Sequence, residues 1–287
     1  MTQIVWIASY PGSGSTWVRA LVANIIYGEV VTSAALMDLV PDIHVAVNAS
    51  HLHGDTTTFV KTHWAYHERL PLREDTAGAI YVTRHPLDVI ASNLNGFLLR
   101  QDDDFFAAPE TEQTRRTQDY IDDFITEGGA AEWHAQGIGT WPENVVSWLE
   151  RGVPIPRLTV RYEDLKRDPT EFVTKLCAFC NVERSEAEIT GAVENASFAR
   201  LRTMEEREIA NETPGLFTTG GVAAGRRTGL RLMNQGTTGG FRTVLSEPQI
   251  AKAAETFEDE APPAETVFEE RWRAMGRTIH FLRFRKR

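Results

Sequence analysis

Ile4-Val5-Trp6-Ile7-Ala8-Ser9-Tyr10-Pro11-Gly12-Ser13-Gly14-Ser15-Thr16-Trp17 divides into three parts that ask different things of the backbone. Ile4 to Ala8 is an apolar run of strand length, as expected for a strand buried on both faces of a sheet. Tyr10 to Ser15 interposes a proline and two glycines, which turn the chain. From Thr16 to Ile26, Trp17, Leu21, Asn24 and Ile25 with their neighbours read as a largely buried helix. A turn of small residues that opens a helix presents backbone N–H groups and the positive end of a dipole to an anion, so phosphate or sulfate is the natural guest.

Working outward, three more short runs have strand character: Thr58 to Thr62, Ala79 to Thr83 and Leu158 to Arg161. Most are followed by a helix-like segment, and that alternation predicts an α/β fold, a central parallel sheet flanked by helices with a P-loop-like turn after the first strand. We expect a single domain over residues 1–287. Helices are predicted at Leu87 to Leu99, started by Arg84-His85-Pro86, and near Asp119 to Thr126, Trp141 to Arg151, Pro169 to Cys180, Glu186 to Asn195 and Pro248 to Thr256. Gln101 to Thr117, with acids at Asp102, Asp103 and Asp104, reads as a solvated loop, and the Gly- and Thr-rich stretch Asn211 to Gly240 as a long functional loop.

Composition narrows the partners. A net charge of -10 over 287 residues argues against nucleic acid, acidic membrane surfaces and polyanionic polysaccharides as partners. The apolar start is too short for a secretory signal and no stretch is long enough to insert in a membrane. Cys177 and Cys180 are the only cysteines, which excludes a disulfide framework and fits a reducing, cytoplasmic setting. One CxxC pair supplies too few zinc ligands, and His51 with His53 lacks an acidic partner at a recognised spacing, so no metal is expected.

All four predicted strands end in residues with chemistry: Ser9 to Thr16, Lys61 with His63, Arg84, and Tyr162 with Glu163 and Asp164. Ligands of open parallel sheets bind beyond these carboxyl ends. Arg84 suits a second anionic group, and Ser92 lies about two turns into the next helix on nearly the same face. Two anion sites in one crevice suggest a nucleotide with phosphates at both ends. A Walker A loop would need a lysine after its second glycine, and Ser15-Thr16 follows Gly14 here. That disfavours an ATPase or GTPase and leaves a P-loop-type kinase with another cation as an alternative. Taken singly, Trp17 and Phe198 read as core residues, Tyr162 as a strand cap and Arg84 as the ion-pair partner of Asp88; only their joint placement argues for a site.

Tyr10-Pro11-Gly12-Ser13-Gly14-Ser15-Thr16-Trp17 resembles the phosphosulfate loop of sulfotransferases that use 3′-phosphoadenosine 5′-phosphosulfate (PAPS). Lys61-Thr62-His63 is similar to that family's Lys-Thr-His, which implies His63 as general base and Lys61 as a neighbouring cation. Val82 to Ser92 resembles the segment that binds the 3′-phosphate through Arg84 and Ser92. Arg161-Tyr162-Glu163-Asp164-Leu165 and Ala196-Ser197-Phe198 resemble segments whose tyrosine and phenylalanine meet the nucleotide, and Gly236 to Arg242 falls where the family has its Gly-x-x-Gly-Asp-Trp-Lys loop. The resemblance covers roughly the whole chain. It implies transfer of a sulfuryl group from PAPS to a hydroxyl of a small or medium acceptor, without a metal, with the loop Gly12, Ser13, Gly14, Ser15, Thr16 and Trp17 holding the cofactor.

Two positions depart from the family pattern. Gly12 replaces the loop lysine, and Asn234-Gln235-Gly236 stands where the family has Arg-Lys-Gly. These losses keep a catalytically weak nucleotide-binding relative as an alternative. Gly12 is expected to leave room for a cation from elsewhere, with Lys61 or one of Arg226, Arg227, Arg231 and Arg242 as candidates.

Overall fold

The computed structural model describes residues 3–45, 57–149, 155–218 and 228–257. Its sheet consists of β1 (Gln3–Ser9), β2 (Thr57–Thr62), β3 (Thr76–Thr83) and β4 (Arg157–Arg161), all parallel, in the order β2-β1-β3-β4. The helices before β3 are α1 (Ser15–Tyr27) and α2 (Ser33–Leu39), followed after it by α3 (Pro86–Leu99), α4 (Asp103–Ala107), α5 (Glu110–Glu127), α6 (Ala131–Ala135) and α7 (Trp141–Leu149). Beyond β4 come α8 (Tyr162–Arg167), α9 (Pro169–Phe179), α10 (Glu186–Asn195), α11 (Phe198–Ala210) and α12 (Glu247–Phe257).

β1 and β3 are apolar over most of their length because both sheet faces are covered there, while the edge strand β4 alternates buried Leu158 and Val160 with exposed Thr159 and Arg161. Val5, Ile7, Ile80, Val82, Leu158 and Val160 point into a core shared with α1, α9 and α11, while Ile4, Trp6, Ala8, Ala79 and Tyr81 point into one shared with α3, α5 and α7. The alternation is the period-2 geometry of a strand. Cys177 and Cys180 are free and buried in the first core, and burial raises both thiol pKa values. No described helix is long and apolar enough to cross a membrane.

Gln101 to Thr117 is helical, not a loop. Asp102 caps α4 by accepting from the Phe105 N–H at 3.0 Å, and α5 starts directly after Pro109 with Glu110 and Glu112 in its first turn, where acids favour the dipole. Arg115 pairs with Glu112 and Asp119 along its exposed side, and Ile121, Phe124 and Ile125 bury its second half. The expectation missed α5's first half because polar residues there satisfy the helix without a core-facing stripe. Helices α2, α6, α8 and α11 were also not foreseen. The expected Asn211 to Gly240 loop is irregular over its described residues; Arg226, Arg227, His51 and His53 lie outside them.

Candidate active site

β1 has β2 on one side and β3 on the other, so the connections leave the sheet in opposite directions at its carboxyl end and open a crevice there. The loop after β1 closes on itself, with the Ser13 N–H donating to the Tyr10 carbonyl at 3.2 Å. Gly12 and Gly14 take φ of 87° and 99°, a region glycine enters without a Cβ penalty. Ser13 is 1% exposed and its Oγ has no hydrogen-bond partner among the described residues. The Ser15 and Thr16 amides that open α1 have no carbonyl a turn earlier to bond, the Trp17 N–H being the first to reach one, that of Gly14 at 3.0 Å. Together they form a donor set at the positive end of a helix.

Side chains from three other elements close over this loop. A Cβ on Gly14 would stand 2.5 Å from the Tyr162 ring, so that ring lies on the loop backbone, edge-on to Trp17 with centroids 5.8 Å apart. The Arg84 guanidinium sits 4.3 Å over the same ring, donating from Nη1 to the Gly12 carbonyl at 3.1 Å and from Nη2 to the Thr237 carbonyl at 2.9 Å. Ser92 stands behind Gly12 on α3. Phe198 covers Gly236, whose Cβ would fall 2.4 Å from its ring, and the Lys166 ammonium lies 5.8 Å from the Trp17 ring and 5.6 Å from the Phe198 ring. Asn234 and Gln235 are exposed; the Asn234 carbonyl accepts from Arg202, and the Gln235 amide oxygen from Thr237.

His63 follows β2 beside Ser9, its Nδ1 2.7 Å from the Ser9 carbonyl oxygen and 3.3 Å from the Ser9 hydroxyl. A carbonyl only accepts, so Nδ1 carries the proton and Nε2 keeps its lone pair. Burial, and then the Lys61 ammonium, hold the imidazole well below its ordinary range against the pull of Asp42. His63 is therefore neutral at pH 7 and fit to accept a proton. Asn144 of α7 donates to the His63 carbonyl at 2.8 Å, and the His63 N–H donates to His44 Nε2 at 2.8 Å.

Lys61 is not a free cation. Its ammonium makes an ion pair with Asp42 at 2.8 Å, both side chains 11% exposed. Burial works against the Asp42 carboxylate, yet Lys61 and His63 hold its pKa down to about 2. Burial also lowers the Lys61 pKa, with Asp42 opposing. Nor does Gly12 leave room. A Cβ there would fall 2.7 Å from Asn93 Nδ2, 3.2 Å from Ser92 Cβ and 3.2 Å from the Val89 carbonyl. Asn93 itself is pinned, donating to the Pro11 and Val89 carbonyls at 2.9 Å. Asp88 does not serve as Arg84's tether; its carboxylate accepts from Gly239 and Phe241 N–H groups at 2.8 and 3.2 Å.

Sequence reading missed Asp42, His44, Asp88, Asn93 and Asn144. Asn93 and Asn144 left a signal, each a polar residue on an otherwise inward stripe, Val89-Ile90-Asn93-Leu94 and Trp141-Asn144-Val145-Trp148. Asp42 and His44 left none, because the Asp42 segment pairs beside β2 through Pro41 and Ile43, a contact local pattern does not encode.

Known proteins are similar to this chain in sequence and in fold. The chain is 27% identical over 265 residues to a guinea pig 3-alpha-hydroxysteroid sulfotransferase, covering 87% of this chain and 79% of that one. It is 26% identical over 231 residues to a flavonol 3-sulfotransferase of Flaveria bidentis, covering 73% and 68%. Among solved structures, a mouse sulfotransferase complexed with PAP superposes with a TM-score of 0.63 at 19% identity, over 92% of this chain and 86% of the other. Retinol dehydratase in complex with androsterone and PAP gives 0.60 at 18%, over 93% and 83%. Residues 2–275 match the sulfotransferase domain family, and the chain belongs to that family.

Proposed function

We propose that this sulfotransferase moves the sulfuryl group of PAPS onto a hydroxyl of a small or medium acceptor, with His63 as general base. The observation that carries the reading is the His63 Nδ1 contact to the Ser9 carbonyl at 2.7 Å, which leaves Nε2 as a proton acceptor at the strand end adjoining the anion loop. The donor set of Ser13, Ser15 and Thr16 suits the 5′-phosphosulfate. Arg84 and Ser92, flanking Gly12, suit the 3′-phosphate, and Trp17, Tyr162 and Phe198 supply faces for the base. The relatives named for hydroxysteroids and flavonols support a hydroxylated acceptor.

The chemistry asks little covalent work of the protein. Sulfuryl transfer, like phosphoryl transfer, is an in-line displacement in which positioning and charge stabilisation supply most of the rate. In a transfer assay with PAPS and a panel of hydroxylated acceptors, His63→Ala should lower turnover by roughly two to four orders of magnitude while affinity for 3′-phosphoadenosine 5′-phosphate stays near the parent's. Loss of nucleotide affinity together with turnover would make His63 a structural residue. A parent that binds the nucleotide and transfers nothing would be a catalytically weak relative.

A further inference from the structure

Beside His63 lies a group of buried charges that proton transfer to Nε2 does not itself require. Asp42 accepts from Lys61 Nζ through Oδ2 at 2.8 Å and from the His44 N–H through Oδ1 at 3.0 Å. His44 Nε2 in turn holds the His63 N–H, so Asp42 is linked to the base through one residue and to the neighbouring cation directly. Arg19 of α1, 2% exposed, donates through Nε to the Val40 carbonyl, and its Nη2 has no partner among the described residues. Burial lowers the Arg19 pKa to about 10, with Asp42 opposing, so it is charged at neutral pH. One carboxylate thus answers to two buried cations. Burying ions costs several kcal/mol each unless they are compensated, and an apolar set of similar volume joins elements as well or better; a structural tie alone leaves this choice of residues unexplained.

We infer that Asp42 is a positioning residue of the transfer step, fixing Lys61 and the His44–His63 pair and supplying the anion that stabilises His63 once it holds the acceptor's proton. The inference rests on His63 being the base. In that step the acceptor O–H bond breaks and its proton goes to Nε2. The acceptor oxygen forms the new bond to sulfur, and the sulfur–oxygen bond to the 5′-phosphate breaks with its electrons leaving on the nucleotide. His63 then becomes a cation facing Lys61 from β2, with Ser9 of β1, Asn144 of α7, and Asp42 and His44 of the segment after α2 around it. Arg19 adds a further positive charge nearby. Without Asp42 these three cations would lose the side-chain carboxylate that acts on each of them, and the proton transfer would be opposed by like charge.

The test reads His63 directly, by NMR titration of its imidazole in the full chain without acceptor. Lys61→Gln should raise the His63 midpoint by removing a cation, and adding Asp42→Asn in that background should bring it down again by at least about half a unit, as expected for a charge a few ångströms away. Lys61→Met replaces Lys61→Gln if the latter does not fold. In the transfer assay Asp42→Asn should cut kcat about 10- to 100-fold with nucleotide affinity within about twofold of the parent, and Asp42→Glu should recover part of the loss. Equal His63 midpoints with and without Asp42, or loss of nucleotide affinity in step with kcat, overturns the inference. The titration needs no turnover, so absence of transfer in the parent would count against the proposed activity and leave the Asp42 result to be judged by itself.

Discussion

Gly12 is where the residue scale matters most. The resemblance to lysine-bearing loops invites restoring that lysine, but φ of 87° and three α3 atoms within 3.2 Å of an added Cβ argue the opposite. A non-glycine residue at positive φ costs on the order of 1–2 kcal/mol, and displacing Asn93 from the Pro11 carbonyl breaks a buried hydrogen bond worth about as much again. Gly12→Lys should therefore lower the midpoint of thermal unfolding and weaken nucleotide binding. Thermal melts with and without 3′-phosphoadenosine 5′-phosphate decide it, and a variant that melts no lower and binds more tightly would show that the loop has a second backbone path. Arg84 reaches the Gly12 carbonyl from β3's end, so loop and late segment are held by a guanidinium to which a side chain at Gly12 would add nothing.

At the scale of elements, α11 is the strut that joins the site's two halves. Two of its buried residues are acids one turn apart. Glu205 accepts from the Leu232 and Met233 N–H groups at 2.6 and 2.9 Å, holding the segment that carries Gly236 under Phe198. Glu208 accepts from the N–H and hydroxyl of Ser33, holding the start of α2, away from the residues proposed to hold the nucleotide. Each Glu→Gln change leaves one amide facing donors, at a cost of about 1–3 kcal/mol of stability. Glu205→Gln should also weaken nucleotide binding about tenfold, whereas Glu208→Gln should leave it near the parent's; isothermal titration separates the two, and equal effects would remove α11's special role. These acids also explain why α11 was illegible in the sequence. Its inward stripe runs Leu201-Met204-Glu205-Glu208, so half of it is charged and the apolar period is broken. The four strands were legible for the converse reason: each carries an apolar stretch, Ile4 to Ala8, Phe59 and Val60, Ala79 to Val82, and Leu158 with Val160, that charge does not interrupt. The crevice at their ends followed from that topology, while Asp42 and His44, brought in by pairing beside β2, could not.

For the whole molecule, the arrangement that keeps His63 neutral has a consequence for stability in acid. His63 is held well below its ordinary range, and His44, through burial and then Lys61, down to about 4. Both groups bind protons in the unfolded chain near pH 6.5 and resist doing so when folded. Between pH 6.5 and about 4 the unfolded state therefore binds more protons than the native one, and stability falls as pH falls. Asp42 adds its own loss lower, from the ordinary aspartate range down to about 2. Discounted for partial exposure of its ring, the His44 contribution alone comes to about 1 to 2 kcal/mol between pH 7 and pH 4.5, and His63 adds to it in the same direction. Urea unfolding at those two pH values should show a drop of at least that size, and His44→Gln should shrink it while lowering stability at pH 7, where the His63 N–H loses its ring acceptor. An unchanged pH dependence in His44→Gln would mean that the ring titrates freely in the folded chain and that the polar cluster beside β2 is looser than its hydrogen bonds indicate. A matching result would tie the low acid stability to the pocket that keeps Nε2 unprotonated, so that variants selected for acid resistance at His44 or His63 should lose turnover in the same measure.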